Sequence, residues 1–128
     1  MGTFYTSCRV ENPVARERSA RLSRVLADTG SEYTWMPETT LEKIGIDRER
    51  KDLDSIMANG KTITRSVGLG IVGLDKYFTI DEVVFGQRED LSLLGARTLE
   101  GLNLAVDSTR KKLVATRPLL AAMSAQAI

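Results

Sequence analysis

The chain has 128 residues, 42% of them hydrophobic, with Lys plus Arg at 18 against Asp plus Glu at 17 and a formal net charge of +1. That length suits one globular domain with a real core, and the charge balance gives no global electrostatic reason to expect nucleic acid or an anionic membrane as a partner. There is no histidine, which removes Ser-His-Asp and Cys-His catalysis, His-based metal sites and the commonest general base.

The N-terminus, Met1-Gly2-Thr3-Phe4-Tyr5, lacks the basic-then-apolar order of a signal peptide. No stretch approaches the roughly 20 apolar residues of a membrane span, so the chain reads as cytoplasmic. Gly2 to Val10 is predicted as a strand, in which Cys8 is a small buried hydrophobe, since a lone cysteine can form neither an internal disulfide nor a CxxC pair. Glu11-Asn12-Pro13 reads as a break, and Ala20 to Ala27 as a second strand running into Asp28-Thr29-Gly30. Tyr33 to Met36 is β-prone, and Pro37 and Glu38 open a short helix that carries Leu41 and Ile44 on one side and stops at Gly45.

From Lys51 a strand climbs to Ala58-Asn59-Gly60-Lys61, where Asn-Gly signals a hairpin, and its partner descends through Ile63. The descending limb continues as Val67-Gly68-Leu69-Gly70-Ile71, which predicts one packed apolar face and one face of accessible backbone. Asp75-Lys76 turns the chain into a strand from Tyr77 to Phe85, closed by Gly86, and Gln87 to Asp90 reads as a solvated loop. Leu91-Ser92-Leu93-Leu94-Gly95 leads to a short helix over Ala96 to Glu100. A strand from Leu102 to Val106, a basic turn at Arg110 to Lys112 and a last strand from Leu113 to Thr116 complete an all-β domain with two short helices. That domain is assigned to 1–117, and 118–128 to an alanine-rich tail, helical or frayed.

Asp28 is the residue that does not belong to a simple strand. It follows Val25-Leu26-Ala27 as though part of the same core, and a carboxylate in an apolar setting must be hydrogen-bonded, paired or neutralised. A strand entering Leu26-Ala27-Asp28-Thr29-Gly30-Ser31, a hairpin around Asn59-Gly60, and Leu93-Leu94-Gly95 before a short helix together resemble the retropepsin-like aspartic proteases. The likeness spans nearly all of Met1 to Thr116. It implies a closed β-barrel of the kind that forms half of an acid-protease fold, a flap hairpin, and cleavage of a peptide or protein substrate without metal or cofactor.

The chemistry needs two carboxylates held about 3 Å apart, which share one proton so that one activates water while the other polarises the scissile carbonyl. One Asp-Thr-Gly motif per chain implies a homodimer in which Asp28 meets its symmetry mate. The resemblance further implies that the Thr29 hydroxyl bonds across to the partner's loop, that Gly30 lets substrate backbone approach, and that Ser31 completes the loop. Asn59, Gly60 and Lys61 become the flap tip over the peptide, Leu93-Leu94-Gly95 backs the catalytic loop, and Tyr33 and Trp35 are candidates to line a subsite.

Two features depart from the viral pattern: Ala96 follows Gly95, with Arg97 one place later as a candidate partner for Glu32, and the hairpin lacks clustered glycines. A different class of function stays open, a retropepsin-type fold used for dimerisation or peptide binding with little or no turnover.

Overall fold

The computed structural model describes residues 4–116, with the Lys51 side chain left aside, so the strand start at Gly2 and the tail 118–128 lie outside the described residues. Nine strands and two short helices occur in it: β1 Phe4–Asn12, β2 Ala15–Ala27, β3 Thr34–Pro37, α1 Glu38–Lys43, β4 Arg50–Ile56, β5 Thr62–Leu74, β6 Tyr77–Gly86, β7 Leu93–Leu94, α2 Ala96–Gly101, β8 Leu104–Asp107 and β9 Lys112–Ala115. The strand order is β1-β2-β7-β3-β6-β5-β4, and an additional β1–β5 pairing closes the sheet on itself, leaving β4 outside the ring. Closure satisfies backbone groups that an open edge would expose. β8 and β9 form a separate two-stranded hairpin.

The ring encloses a core of Val10, Val25, Met36, Val72, Val83, Phe85 and Leu94, with Leu41, Ile44 and Ile46 from α1 and the turn after it, and Leu99 from α2. Each such side chain, taken fully from water, stabilises the fold by roughly 1.5–3 kcal/mol before chain entropy is counted. Cys8 packs in this core, and burial pushes its thiol up to about 12, which makes it an unreactive hydrophobe. A second cluster, Trp35, Val67 and Val84, is flanked by Tyr33, Leu53, Ile63 and Leu93. Among the described residues no helix is long and apolar enough to cross a membrane.

Several boundaries differ from the sequence reading. The break at Glu11-Asn12-Pro13 is only a tight turn, and β2 starts at Ala15, five residues before the predicted Ala20. Asn12 explains it: the buried amide donates to the Ile44 and Gly45 carbonyls and accepts from the Val14 N–H, so the turn is tied to the end of α1. Residues Arg16 to Ser19 are exposed and polar, so no alternation marked them as strand. β8 begins at Leu104, because α2 runs to Gly101 and Asn103 turns the chain with a φ of 57°.

The glycines of β5 also reverse the expectation. Gly68 and Gly70 are buried, whereas Leu69 between them is exposed. Backbone lies over Gly68, where a Cβ would stand 2.4 Å from the Asp47 carbonyl oxygen.

Candidate active site

Parallel pairing of β2 with β7, Leu26 against Leu93 and Ala27 against Leu94, carries the chain into the Asp-Thr-Gly turn. The Leu26 N–H donates to the Ser92 carbonyl and the Asp28 N–H to the Leu94 carbonyl, both at 3.0 Å. Within the turn, the Gly30 N–H donates to Asp28 Oδ1 at 2.9 Å, and the Ser31 N–H donates to the Asp28 carbonyl at 3.2 Å. On the far side the Ala96 N–H donates to the Ser31 carbonyl at 2.7 Å, and the Ser31 hydroxyl donates to the Tyr33 carbonyl at 3.0 Å. Residues 28–31 are therefore stitched at both ends to the junction of β7 and α2. Leu93-Leu94-Gly95 backs the loop in the literal sense of hydrogen bonding.

Gly95 has to be glycine, since a Cβ there would lie 2.3 Å from the Tyr33 carbonyl oxygen, which is backbone and cannot move aside. Its N–H donates to Thr34 Oγ1 at 3.0 Å, the Thr34 hydroxyl donates to Thr98 Oγ1, and the Thr98 hydroxyl donates to the Asp81 carboxylate at 2.9 Å. Both threonines are fully buried. This chain of bonds joins β7, β3, α2 and β6 behind the loop, and every polar atom in it is satisfied. In sequence Thr34 is one residue of a β-prone run, so nothing there distinguished it.

Asp28 is half-buried, not sealed in the core as its apolar neighbours suggested. It opens onto a cleft of about 650 Å³. One wall is Asp28, Gly30, Ser31, Glu32, Tyr33 and Trp35; the other is Leu53 to Ala58 of the β4 limb, with Glu89 to Leu91 and Leu93 completing it. Tyr33 and Trp35 thus face the cleft and also bound the second apolar cluster. Thr29 is exposed and faces a different hollow, bounded by Ala96, Leu99, Leu104 and Val106.

The hairpin projects because Thr62 to Arg65 pair only with β4, while β6 joins β5 from Val67 onward. Its tip is a three-residue loop, with the Met57 N–H donating to the Lys61 carbonyl and the Gly60 N–H to the Met57 carbonyl. Gly60 takes the left-handed position at φ 84°, and Asn59 Oδ1 accepts from the Lys61 N–H. Asn59, Gly60 and Lys61 stand exposed at this tip, and the cleft is lined instead by Ile56, Met57 and Ala58 just before it. Ile56 and Met57 carry no motif and Ala58 only leads into the Asn-Gly turn, so only the hairpin's placement over the cleft reveals them as lining.

The loop Gln87 to Asp90, expected to be solvated, is held by a buried ion pair at its end. Arg65 Nε donates to Asp90 Oδ2 at 2.7 Å and Arg65 Nη2 to Oδ1 at 3.1 Å, with side chains only 9% and 6% exposed. Burial opposes ionisation of Asp90, yet the Arg65 guanidinium and the Gln87 N–H, at 2.7 Å, outweigh it and hold the carboxyl below the usual carboxylate range. Arg97 reaches Glu32 only at 4.0 Å. Its nearer partner is Glu82 at 3.3 Å, and its guanidinium lies over the Tyr33 ring.

A family model described as aspartyl protease matches residues 19–98, more than half the chain. The chain belongs to the aspartyl protease family. The matched span of this aspartyl protease contains the Asp28 loop, the hairpin and the Leu93-Leu94-Gly95 junction, and its closed all-β ring with two short helices is the retropepsin-like fold of that family. Membership assigns it the general function of an aspartic protease, a peptide-bond hydrolase. None of the curated proteins matches the chain. Among the described residues, no group of three or more His, Cys, Asp or Glu side chains is placed to hold a metal ion.

Proposed function

We propose that this protein is an endopeptidase that works as a homodimer, with Asp28 of each protomer forming the catalytic dyad. The observation that carries this reading is the setting of Asp28: a carboxylate on a loop locked to β7, opening onto a peptide-sized cleft, in a chain with a single Asp-Thr-Gly motif. Within its own chain the carboxylate accepts from the Gly30 N–H, which orients it and leaves its outer oxygen open. A second copy related by a two-fold axis supplies the other carboxylate.

Two such groups about 3 Å apart hold one proton between them. The ionised member takes a proton from water as the oxygen attacks the scissile carbonyl, and the protonated member donates to the carbonyl oxygen, where negative charge develops. Collapse of the tetrahedral adduct passes a proton to the leaving nitrogen and restores the shared state. Exposed Thr29, beside the hollow edged by α2 and β8, is the residue proposed to bond the partner's loop. The hairpin serves as the flap, closing on substrate through Ile56, Met57 and Ala58.

The test is cleavage of unstructured peptides by the full chain and by Asp28→Asn. The wild type should cut, lose specific activity on dilution through the monomer–dimer midpoint, and be blocked by pepstatin-type inhibitors; the variant should fold and not cut. Cleavage by Asp28→Asn overturns the dyad. A wild-type dimer that binds peptides without cutting them makes the fold a binding module.

A further inference from the structure

The residues that line the cleft are one-sided in charge. Asp28, Glu32, Asp54, Glu89 and Asp90 all line it, and among the described side chains no lysine or arginine does. The whole chain is slightly basic, so this bias is local. Asp90 is neutralised by Arg65, but Glu89, 72% exposed and 3.6 Å from Arg65 Nη2, shares that one cation with it. Arg97 is likewise divided between Glu32 and Glu82. Asp54 is bonded to the Thr64 hydroxyl at 2.7 Å, and no described cation pairs with it.

Between these acids the surface is apolar: Trp35, Leu53, Ile56, Met57, Leu91 and Leu93. An extended peptide advances about 3.3 Å per residue and presents alternate side chains to opposite faces. A large apolar side chain filling this floor therefore carries its neighbours to the rim, where Asp54 and Glu89 stand.

We infer that the preferred substrate is a peptide with a large apolar residue at the scissile bond and a lysine or arginine within roughly three residues of it. The inference deepens the endopeptidase reading and rests on it. In a two-fold dimer the acids occur on both sides of the bond, so the basic residue is accepted before or after the cut. Acidic residues at those positions meet like charge and are disfavoured.

The experiment exposes the full-length protein to peptides from a cyanogen bromide digest of cell protein, a cut without charge bias, and reads the cleaved bonds by mass spectrometry. Lysine and arginine should be enriched near the cuts and aspartate and glutamate depleted. The best-cut peptide is then remade with Lys, Gln or Glu at the enriched position. The Lys form should exceed the Glu form about tenfold in kcat/KM at low salt, and less at about 0.5 M salt, where exposed charges are screened. In the double variant Asp54→Asn, Glu89→Gln that ratio should fall toward one; the first change keeps an amide oxygen to accept from the Thr64 hydroxyl. Cleavage with no charge preference, with a preference for acidic neighbours, or with a ratio unchanged in the double variant overturns the inference and leaves the endopeptidase intact. Failure to cut any peptide overturns both.

Discussion

Arg65 grips Asp90 with two parallel hydrogen bonds, of 2.7 Å and 3.1 Å, across the base of the hairpin. Arg65 belongs to the descending limb and Asp90 to the loop beneath, so the pair ties the projecting hairpin to the wall of the cleft. Removing one partner leaves the other charged and buried.

Asp90→Asn is expected to destabilise the protein by about 3 kcal/mol, the scale for breaking a buried pair. Thermal denaturation of the two proteins at neutral pH measures it. The pH dependence has a definite sign. The folded carboxyl is held below its ordinary range, so its contribution is complete above about pH 4 and is lost as pH falls through the depressed folded value. Wild type and variant should converge in stability below that range; a gap that stays constant into strong acid contradicts the ion pair.

Gly95→Ala should be among the most damaging single-methyl additions in the chain. The new Cβ meets the Tyr33 carbonyl oxygen at 2.3 Å, and the junction that holds the Asp28 loop must open to admit it. A loss of about 2–3 kcal/mol or more is expected, at the upper end for overpacking. Gly60→Ala meets open space and carries only the cost of a positive φ, roughly 1 kcal/mol. Urea midpoints of the two variants should rank in that order.

Thr34→Val keeps shape and removes the acceptor for the Gly95 N–H, leaving a buried donor unpaired. The expected cost is about 1–3 kcal/mol. Thr34→Ser restores the hydroxyl and should recover most of it. If the valine variant matches the wild type in urea midpoint and slope, the bond chain through Thr98 to Asp81 contributes nothing to the loop's support.

Within the hairpin, the residues before the tip should matter more for turnover than the tip itself. Met57→Ala removes a side chain that lines the cleft and should raise KM several-fold on an apolar-centred peptide. Lys61→Ala, exposed and outside the lining, should change kcat/KM by less than about twofold. Steady-state kinetics on one peptide compares them. The opposite ranking would place substrate at the tip.

Under the proposed Asp28 dyad, rate against pH should rise and then fall, because the working pair must hold one proton and lack the other. No histidine exists to supply either limb. Initial rates from mildly acidic to neutral pH in a constant-ionic-strength buffer test it, and a flat profile rules out the shared proton.

The motifs were legible without coordinates where local chemistry dictates them. β-prone runs bounded by turn residues predicted most of the ring strands, Asn59-Gly60 predicted the hairpin, and an acid at the end of an apolar strand marked Asp28 as a residue needing a partner. Leu93-Leu94-Gly95 was identified as the backing of the loop through the family resemblance, and the close approach to Tyr33 that explains its glycine shows only in the fold. The strands, the hairpin turn and the strand end at Asp28 depend on neighbours a few residues away, and a sequence displays such neighbours directly.

Whatever depends on residues brought together from distant parts of the chain was decided by the tertiary structure alone. Arg65 and Asp90 are 25 positions apart and Thr34 and Thr98 are 64 apart; each looks like an ordinary surface or strand residue until the ring closes. Arg97 pairs more closely with Glu82 than with the expected Glu32 because β6 passes nearer its guanidinium. The cleft is likewise assembled from the Asp28 loop, β4 and the loop before β7. Its acid bias is invisible in a chain whose total charge is close to neutral, since only folding brings carboxylates from the Asp28 loop, β4 and the loop before β7 around one cleft.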